Sequence, residues 1–301
     1  MSAHPASLET AASPWAARRL RAEELRARHP FAADVLTLYL ALLPVQEDAW
    51  SAARESPPPP EELARWAAAE VLPAVVEVTA AAGPAQLGEA VQSRLVEGTG
   101  HDTLAGWLAG AELDPVDRYL ARASLGPALE AFGERAGTAC APGQNGEDDA
   151  LCPCCGGSPQ LSCVASTGES LVSGARSLLC ARCGSIWDYR RSACPACGET
   201  DGGQLVVYAE RWEGPVSANG KAVSGNGKAV SANGKGGGGG RPVFPHLRVA
   251  GCTTCHRYLI DVDLERDARA VPEVDELTAL PLDLYAADQG LTKVTPNLMG
   301  F

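Results

Sequence analysis

Eight of the eleven cysteines in the chain fall into four Cys-x-x-Cys pairs: Cys152/Cys155, Cys180/Cys183, Cys194/Cys197 and Cys252/Cys255. Two intervening residues let both thiolates of a tight knuckle face one ion. Two knuckles then complete a tetrahedral four-sulfur shell, which suits zinc or a single iron. Gly156, Gly184 and Gly198 each follow a pair directly, and glycine eases the left-handed turn a knuckle needs. The chemistry these residues offer is the binding of two metal ions.

Spacing bears on which pairs share an ion. Cys155 and Cys180 are separated by 24 residues, room for one β-hairpin. Cys197 and Cys252 are separated by 54, and roughly half of those belong to a Gly/Asn/Lys-rich stretch. Without that stretch the two intervals match. Chain-order pairing gives two repeats of knuckle, hairpin, knuckle and strand; an interleaved pairing stays open. Cys140 and Cys163 read as bystanders. Cys154, inside the first knuckle, reads as a solvent-facing residue rather than a redox thiol. Cys252-Thr-Thr-Cys255-His256 fits a c-type haem attachment pattern. That use would need export and would strand Cys194 and Cys197, so His256 reads as a strand-surface residue.

No nucleophile–base constellation stands out among five histidines, and Gly236 to Gly240 is not followed by a helix as a phosphate loop would be. The expectation is a protein that is not an enzyme.

The elements that must position the thiols fall into two parts. Residues 1–139 contain no cysteine and residues 140–255 contain all eleven. The polar segment from Gly143 to Asp149 reads as a linker between a helical N-terminal domain, 1–142, and the metal-binding part. The first part is rich in Ala, Leu, Glu and Arg, which favour helix. Helices are expected over 15–28 and 31–43, after Glu61, and over 84–97, 103–109, 115–123 and 125–134. His29-Pro30 ends the first of them, because the residue before proline avoids helical dihedrals. After residue 150, short β-like runs sit between the cysteine pairs, and Asp275 to Gln289 reads as a closing helix. Residues 150–193 form a first metal fold and 194–301 a second. The unit Val-Ser-(Ala/Gly)-Asn-Gly-Lys recurs from Val216, Val223 and Val230 within 214–240. Such a composition buries too little to offset ordering entropy, so it reads as a flexible insertion. The fold class is α+β: an all-α N-terminal domain, two tandem metal-binding folds and a C-terminal helix.

Composition bounds the function. The 301-residue chain is 46% hydrophobic with a formal net charge of −12. An acidic chain is a poor partner for nucleic-acid phosphates or an anionic membrane. No apolar run is long enough to span a bilayer. Arg18-Arg19 is followed by charged residues rather than an apolar export segment. The expected location is the cytoplasm, where so many cysteines point to metal rather than disulfides.

The order of motifs resembles that of the formate dehydrogenase accessory protein family, FdhE. The resemblance rests on Cys152-Pro-Cys-Cys155-Gly-Gly-Ser-Pro159, Leu178-Leu-Cys180-Ala-Arg-Cys183 and Trp187-Asp-Tyr-Arg190-Arg191-Ser-Ala-Cys194. It continues in Tyr208-Ala-Glu210, Cys252-Thr-Thr-Cys255-His-Arg-Tyr258, the segment Asp275 to Asp283, and Asp288 to Phe301. Arg21 to Arg26 and His29-Pro30 match more loosely. The family implies a helical domain followed by two rubredoxin-like folds. It implies iron at the cysteine sites, where spacing by itself favours zinc. It also implies a cytoplasmic assembly factor that contacts the catalytic subunit of a molybdenum- or tungsten-dependent formate dehydrogenase. Asp188 departs from a position that is often histidine in the family, and the 214–240 insertion is foreign to it. Candidate partner-contact residues are Arg190, Arg191, Asp275, Glu276 and Asp283; homodimerisation is left open. The alternatives are a rubredoxin-like electron-transfer protein and, behind it, a zinc-ribbon nucleic-acid module using Arg176, Arg182, Arg190 and Arg191.

Overall fold

Alanine and leucine at helical spacing build the first part of the chain in the computed structural model, which describes residues 14–140, 149–165, 175–210, 228–230 and 243–301. Helices α1 (Pro14–Arg28), α2 (Ala33–Glu55), α3 (Leu63–Glu70), α4 (Leu72–Ala82), α5 (Ala85–Glu97), α6 (Gly100–Leu108) and α7 (Pro115–Phe132) pack against one another. Asp114 starts α7 by accepting from the amides of Val116 and Asp117, with Pro115 at the first helical position.

Two helices are longer than expected. Helix α2 runs through Pro44 and α7 through Gly126 and Pro127, where the sequence predicts one helix ending at Leu43 and a break in the other near Leu125. An interior proline costs about 3 kcal/mol. Against it stand Leu36, Leu42, Leu43, Leu125 and Leu129, all with no exposed surface, each worth roughly 2–3 kcal/mol on burial. Tertiary packing wins over the local break.

The cysteine-bearing part is one mixed sheet. Its strands are β1 (Pro159–Ala165), β2 (Ala175–Cys180), β3 (Ile186–Asp188), β4 (Leu205–Glu210), β5 (Lys228–Val230), β6 (Leu247–Cys252) and β7 (Arg257–Asp263). The order across the sheet is β3-β2-β1-β7-β6-β4-β5. Each half repeats one plan. A knuckle leads into an outer strand (β1 or β4), the middle strand (β2 or β6) leads into the next knuckle, and a third strand (β3 or β7) follows. The halves join where β1 runs parallel to β7, with Leu161 opposite Ile260 and Val164 opposite Asp263. An all-α N-terminal region, two tandem rubredoxin-like or zinc-ribbon-like units and C-terminal helices therefore make up the fold. Of the 214–240 insertion only Lys228–Val230 is described, as a strand beside Tyr208–Glu210. The rest of it lies outside the described residues, as does the 143–149 linker apart from Asp149.

The expected closing helix, 275–289, is broken. Helix α8 (Pro272–Asp275) passes through a 3-10 turn, Glu276–Thr278, into α9 (Leu280–Asp288), followed by a short strand β8 (Thr292–Lys293). Pro281 has no amide to give to Leu277 and so restarts the helix in its first turn.

These last elements return to the first. Val274 and Leu277 share a core with Trp15, Leu25, Leu36 and Leu43, against which Leu298 and Met299 also pack. Charges reinforce the contact. Asp275, with no exposed surface, accepts from Arg21 Nε (2.9 Å), from His246 Nε2 (2.7 Å) and from the Val271 amide (2.8 Å). Glu276 and Asp283 both pair with Lys293 at 2.7 and 3.2 Å. Burial pushes both carboxyls up, opposed by Lys293. Burial works against the Lys293 ammonium, but the two carboxylates outweigh it and hold its pKa above the ordinary lysine value. Asp275, Glu276 and Asp283, expected as partner contacts, are thus internal. All three are at most 7% exposed and spend their charge on Arg21, His246 and Lys293.

Candidate metal centres

The knuckles bring the eight paired cysteines into two groups in chain order, Cys152, Cys155, Cys180 and Cys183, then Cys194, Cys197, Cys252 and Cys255. Within each group the sulfurs all lie within 4.8 Å of one another. Cys152 and Cys183 are 3.6 Å apart and Cys155 and Cys180 3.4 Å. In the second group Cys194 and Cys255 stand at 3.7 Å and Cys197 and Cys252 at 3.8 Å. A disulfide needs about 2.05 Å. A tetrahedron with metal–sulfur bonds of about 2.3 Å has an edge of about 3.8 Å. The spacing fits four thiolates around one ion, and the donor set fits zinc or iron equally.

Amides steady the sulfurs. The Cys180 thiolate accepts from the Arg182 and Cys183 amides (3.3 and 3.5 Å), and Cys194 accepts from Ala196 (3.4 Å). The turn after each pair is left-handed. Gly156, Gly184 and Gly198 have φ of 68°, 70° and 75°. At the fourth knuckle the same position is His256, exposed, at φ 56°. The expected strand-surface histidine is the turn residue of the last knuckle. A non-glycine residue there costs roughly 1–2 kcal/mol, less the 0.5–1 kcal/mol or so that glycine loses in entropy. His256→Gly is expected to be neutral or to stabilise by up to about 1 kcal/mol, read by thermal melting. A loss of more than that would show that the imidazole does more than occupy the turn.

Four thiols in one place cannot all ionise unaided. In the first group the Cys152 thiol is held far below the ordinary range by hydrogen bonds from Cys155, Cys180 and Cys183. Cys155 is pushed far up by its contacts with Cys140 and the other three. The proton count belongs to the cluster rather than to any one sulfur. A bound divalent ion resolves the conflict by taking all four as thiolates.

The two centres differ in surroundings. All four cysteines of the first are at most 3% exposed and pack in the helical core with Leu125, Leu129 and Trp107. A Cβ on Gly137, just past α7, would stand 2.2 Å from the Cys154 carbonyl oxygen, and one on Gly157 would meet the Cys155 and Cys180 sulfurs at 3.2 and 3.0 Å. The first knuckle is therefore pressed against the end of the helical region. In the second centre Cys197 is exposed and Cys255 half-buried. Cys154 is half-buried against the helical core, not solvent-facing. Cys140 lies beside Cys155 in that same core. Cys163 is buried in β1, where burial pushes its thiol up to about 12. Arg190 and Arg191 are exposed on the loop before the second centre, Arg190 pairing with Asp149 at 3.1 Å.

Residues 242–299 match the family model described as FdhE, C-terminal domain. This stretch carries Cys252, Cys255, Asp275, Glu276, Asp283 and Lys293. Residues 242–299 are thus an FdhE C-terminal domain. The chain is 27% identical over 150 residues to the Protein FdhE homolog of Aquifex aeolicus, covering 50% of this chain and 41% of that protein. To the homolog of Pseudomonas aeruginosa it is 29% identical over 153 residues, covering 51% of this chain and 40% of that protein. The matched segment thus spans about two fifths of these curated relatives. The crystal structure of the FdhE protein from Pseudomonas aeruginosa has the same fold, with a TM-score of 0.60 at 23% identity over 95% of both chains. Among the described residues, no helix is long and apolar enough to cross a membrane.

Proposed function

We propose that the chain is a cytoplasmic accessory protein for the maturation of a formate dehydrogenase, which it serves by binding the catalytic subunit. The observation that carries the reading is the FdhE family match over 242–299, because that stretch both completes the second metal centre and locks onto α1. The eight cysteines hold two metal ions, and the metal supplies cross-links that fix the two halves of the sheet. The histidine side-chain hydrogen bonds also support a non-catalytic role. His101 faces Asp102 and His246 faces Asp275, carboxylates rather than a nucleophilic hydroxyl or thiol. The contact surface we assign to the client runs along β3, at the sheet edge, where Ile186 is 59% exposed, and continues to Arg190 and Arg191. An unpaired edge strand with an exposed apolar side chain is a template for a partner.

The test is capture of a molybdenum- or tungsten-dependent formate dehydrogenase catalytic subunit by the tagged full-length chain. Wild type is expected to retain the subunit, and the variant Ile186→Asp/Arg190→Glu/Arg191→Glu to lose most of it at unchanged metal content. Equal capture by both would remove this surface from the account; no capture by wild type would remove the client. A second reading, electron transfer, is favoured by one feature, the exposure of Cys197 at the second centre. It requires a reversible iron couple at the second centre, measurable by redox titration of the ultraviolet–visible charge-transfer bands.

A further inference from the structure

Ten of the nineteen described arginines pair with carboxylates. Arg18 pairs with Glu130 and Glu273, Arg21 with Asp267 and Asp275, Arg94 with Asp114 and Asp117, and Arg248 with Asp261 and Asp263. The other nine have no carboxylate within ion-pair distance among the described residues. Four such arginines line one cleft.

The cleft has a volume of about 460 Å³ and lies between α6–α7, the first knuckle pair and the start of β7. Arg118 and Arg122 enter it from one face of α7, four residues apart. Arg182 comes from inside the second knuckle of the first centre, and Arg257 from the first residue of β7. Each donates to neutral carbonyl acceptors, and Arg182 also reaches the Cys140 sulfur. Arg118 donates to the Leu113 carbonyl (3.2 Å), Arg182 to the Cys155 carbonyl (3.4 Å) and Arg257 to the Lys293 carbonyl (3.2 Å). Arg122, 9% exposed, donates to the Pro296 carbonyl (2.5 Å) and to Gln160 Oε1. None of the four has a carboxylate within ion-pair distance among the described residues. Lys293 also lines the cleft, but Glu276 and Asp283 already hold its charge. Glu112 is the one carboxylate in the lining.

Burying a guanidinium beside others of its kind is unfavourable unless an anion offsets it. Burial holds Arg122 down to about 10; the charge of Glu276 and the Cys180 sulfur oppose this only in part, and Arg118 adds repulsion. The guanidinium fork matches the oxygens of a phosphoryl group two at a time, and four forks exceed what a single carboxylate can satisfy. The concavity has the size of a small-molecule site rather than a protein-docking face. We propose that this cleft binds the phosphate or diphosphate group of a small molecule, held by Arg118, Arg122, Arg182 and Arg257. Arg182 lies over the Trp107 ring at 5.4 Å and sits between two metal-ligating cysteines. The bound anion therefore bridges α7, the first metal centre and β7. This site stands independently of the client assigned above.

Isothermal titration of the metal-loaded full chain at constant ionic strength tests it, with inorganic diphosphate and ADP as separate probes. Saturable binding of either is expected. A tighter response to ADP would assign the phosphates to a nucleotide, and an equal response to the free anion. Arg118→Ala/Arg257→Ala alters two accessible groups and should weaken binding about a hundredfold, a factor of ten for each charged hydrogen-bonding partner. Arg65→Ala, a 73% exposed side chain outside the cleft, should leave it unchanged. Circular dichroism and metal content equal to wild type would show that the double variant is folded. The proposal is overturned if neither probe binds saturably, if Arg65→Ala weakens binding as much, or if only an acidic peptide binds.

Discussion

Cys180→Ser is expected to cost the protein its fold, whereas Cys197→Ser should cost it one metal ion. Each residue is one of four sulfur ligands in its own group, so the difference must come from their surroundings. Cys180 is 2% exposed and its cluster is part of the core of the helical region. Removing one ligand there leaves three sulfurs that must be reprotonated or stay buried as charge, and it forfeits the metal's contribution. Structural zinc binding in zinc-finger peptides is worth about 10–16 kcal/mol in apparent terms. The whole stability of a domain is about 5–15 kcal/mol. Cys197 is exposed, so water can reach the gap and the loss stays at the end of β4 and β6. Cys197→Ser should keep its helical circular dichroism and its first metal ion, with a cooperative but earlier melt. In the wild type, a chromophoric chelator should remove one equivalent from the second centre well before the other. Equal release rates, or a natively folded Cys180→Ser, would show that the difference in burial has no energetic consequence.

The second large effect belongs to Arg21→Ala. Arg21 is 2% exposed and Asp275 is fully buried; their ion pair, at 2.5 Å, ties α1 to α8 across the molecule. Truncating one member of a buried pair leaves the other uncompensated and costs about 3–5 kcal/mol. The exposed helix pair of Arg28 with Glu24 is the control. Arg28→Ala should cost less than about 1 kcal/mol, since solvent screens it. Denaturant unfolding measures both. Similar losses for the two variants would mean that Asp275 is satisfied by His246 and the Val271 amide alone.

These two predictions separate what the sequence displays from what only folding reveals. The metal ligands are legible because ligand spacing is local: two residues between thiols, glycine at three of the four turns, and intervals that match once residues 214–240 are set aside. The fourth turn was hidden because His256 takes a conformation normally given to glycine. Asp275, Glu276 and Asp283 look like any surface acids in the sequence, since a charge carries no mark of the partner it will meet. Their partners lie far along the chain, Arg21 being 254 residues from Asp275. Pro44 and Pro127 mislead for a related reason, because the burial that outweighs them is contributed by other helices. The arginine cleft is the extreme case. Arg118, Arg122, Arg182 and Arg257 come from three separate elements, and no window of sequence contains them together.

Metal analysis of the full chain, purified without oxygen and combined with X-ray absorption at the metal edge, decides whether the eight cysteines hold two ions. The account predicts two ions per chain, each in a shell of four sulfurs at about 2.3 Å. One ion per chain, or a shell containing nitrogen or oxygen, would contradict it.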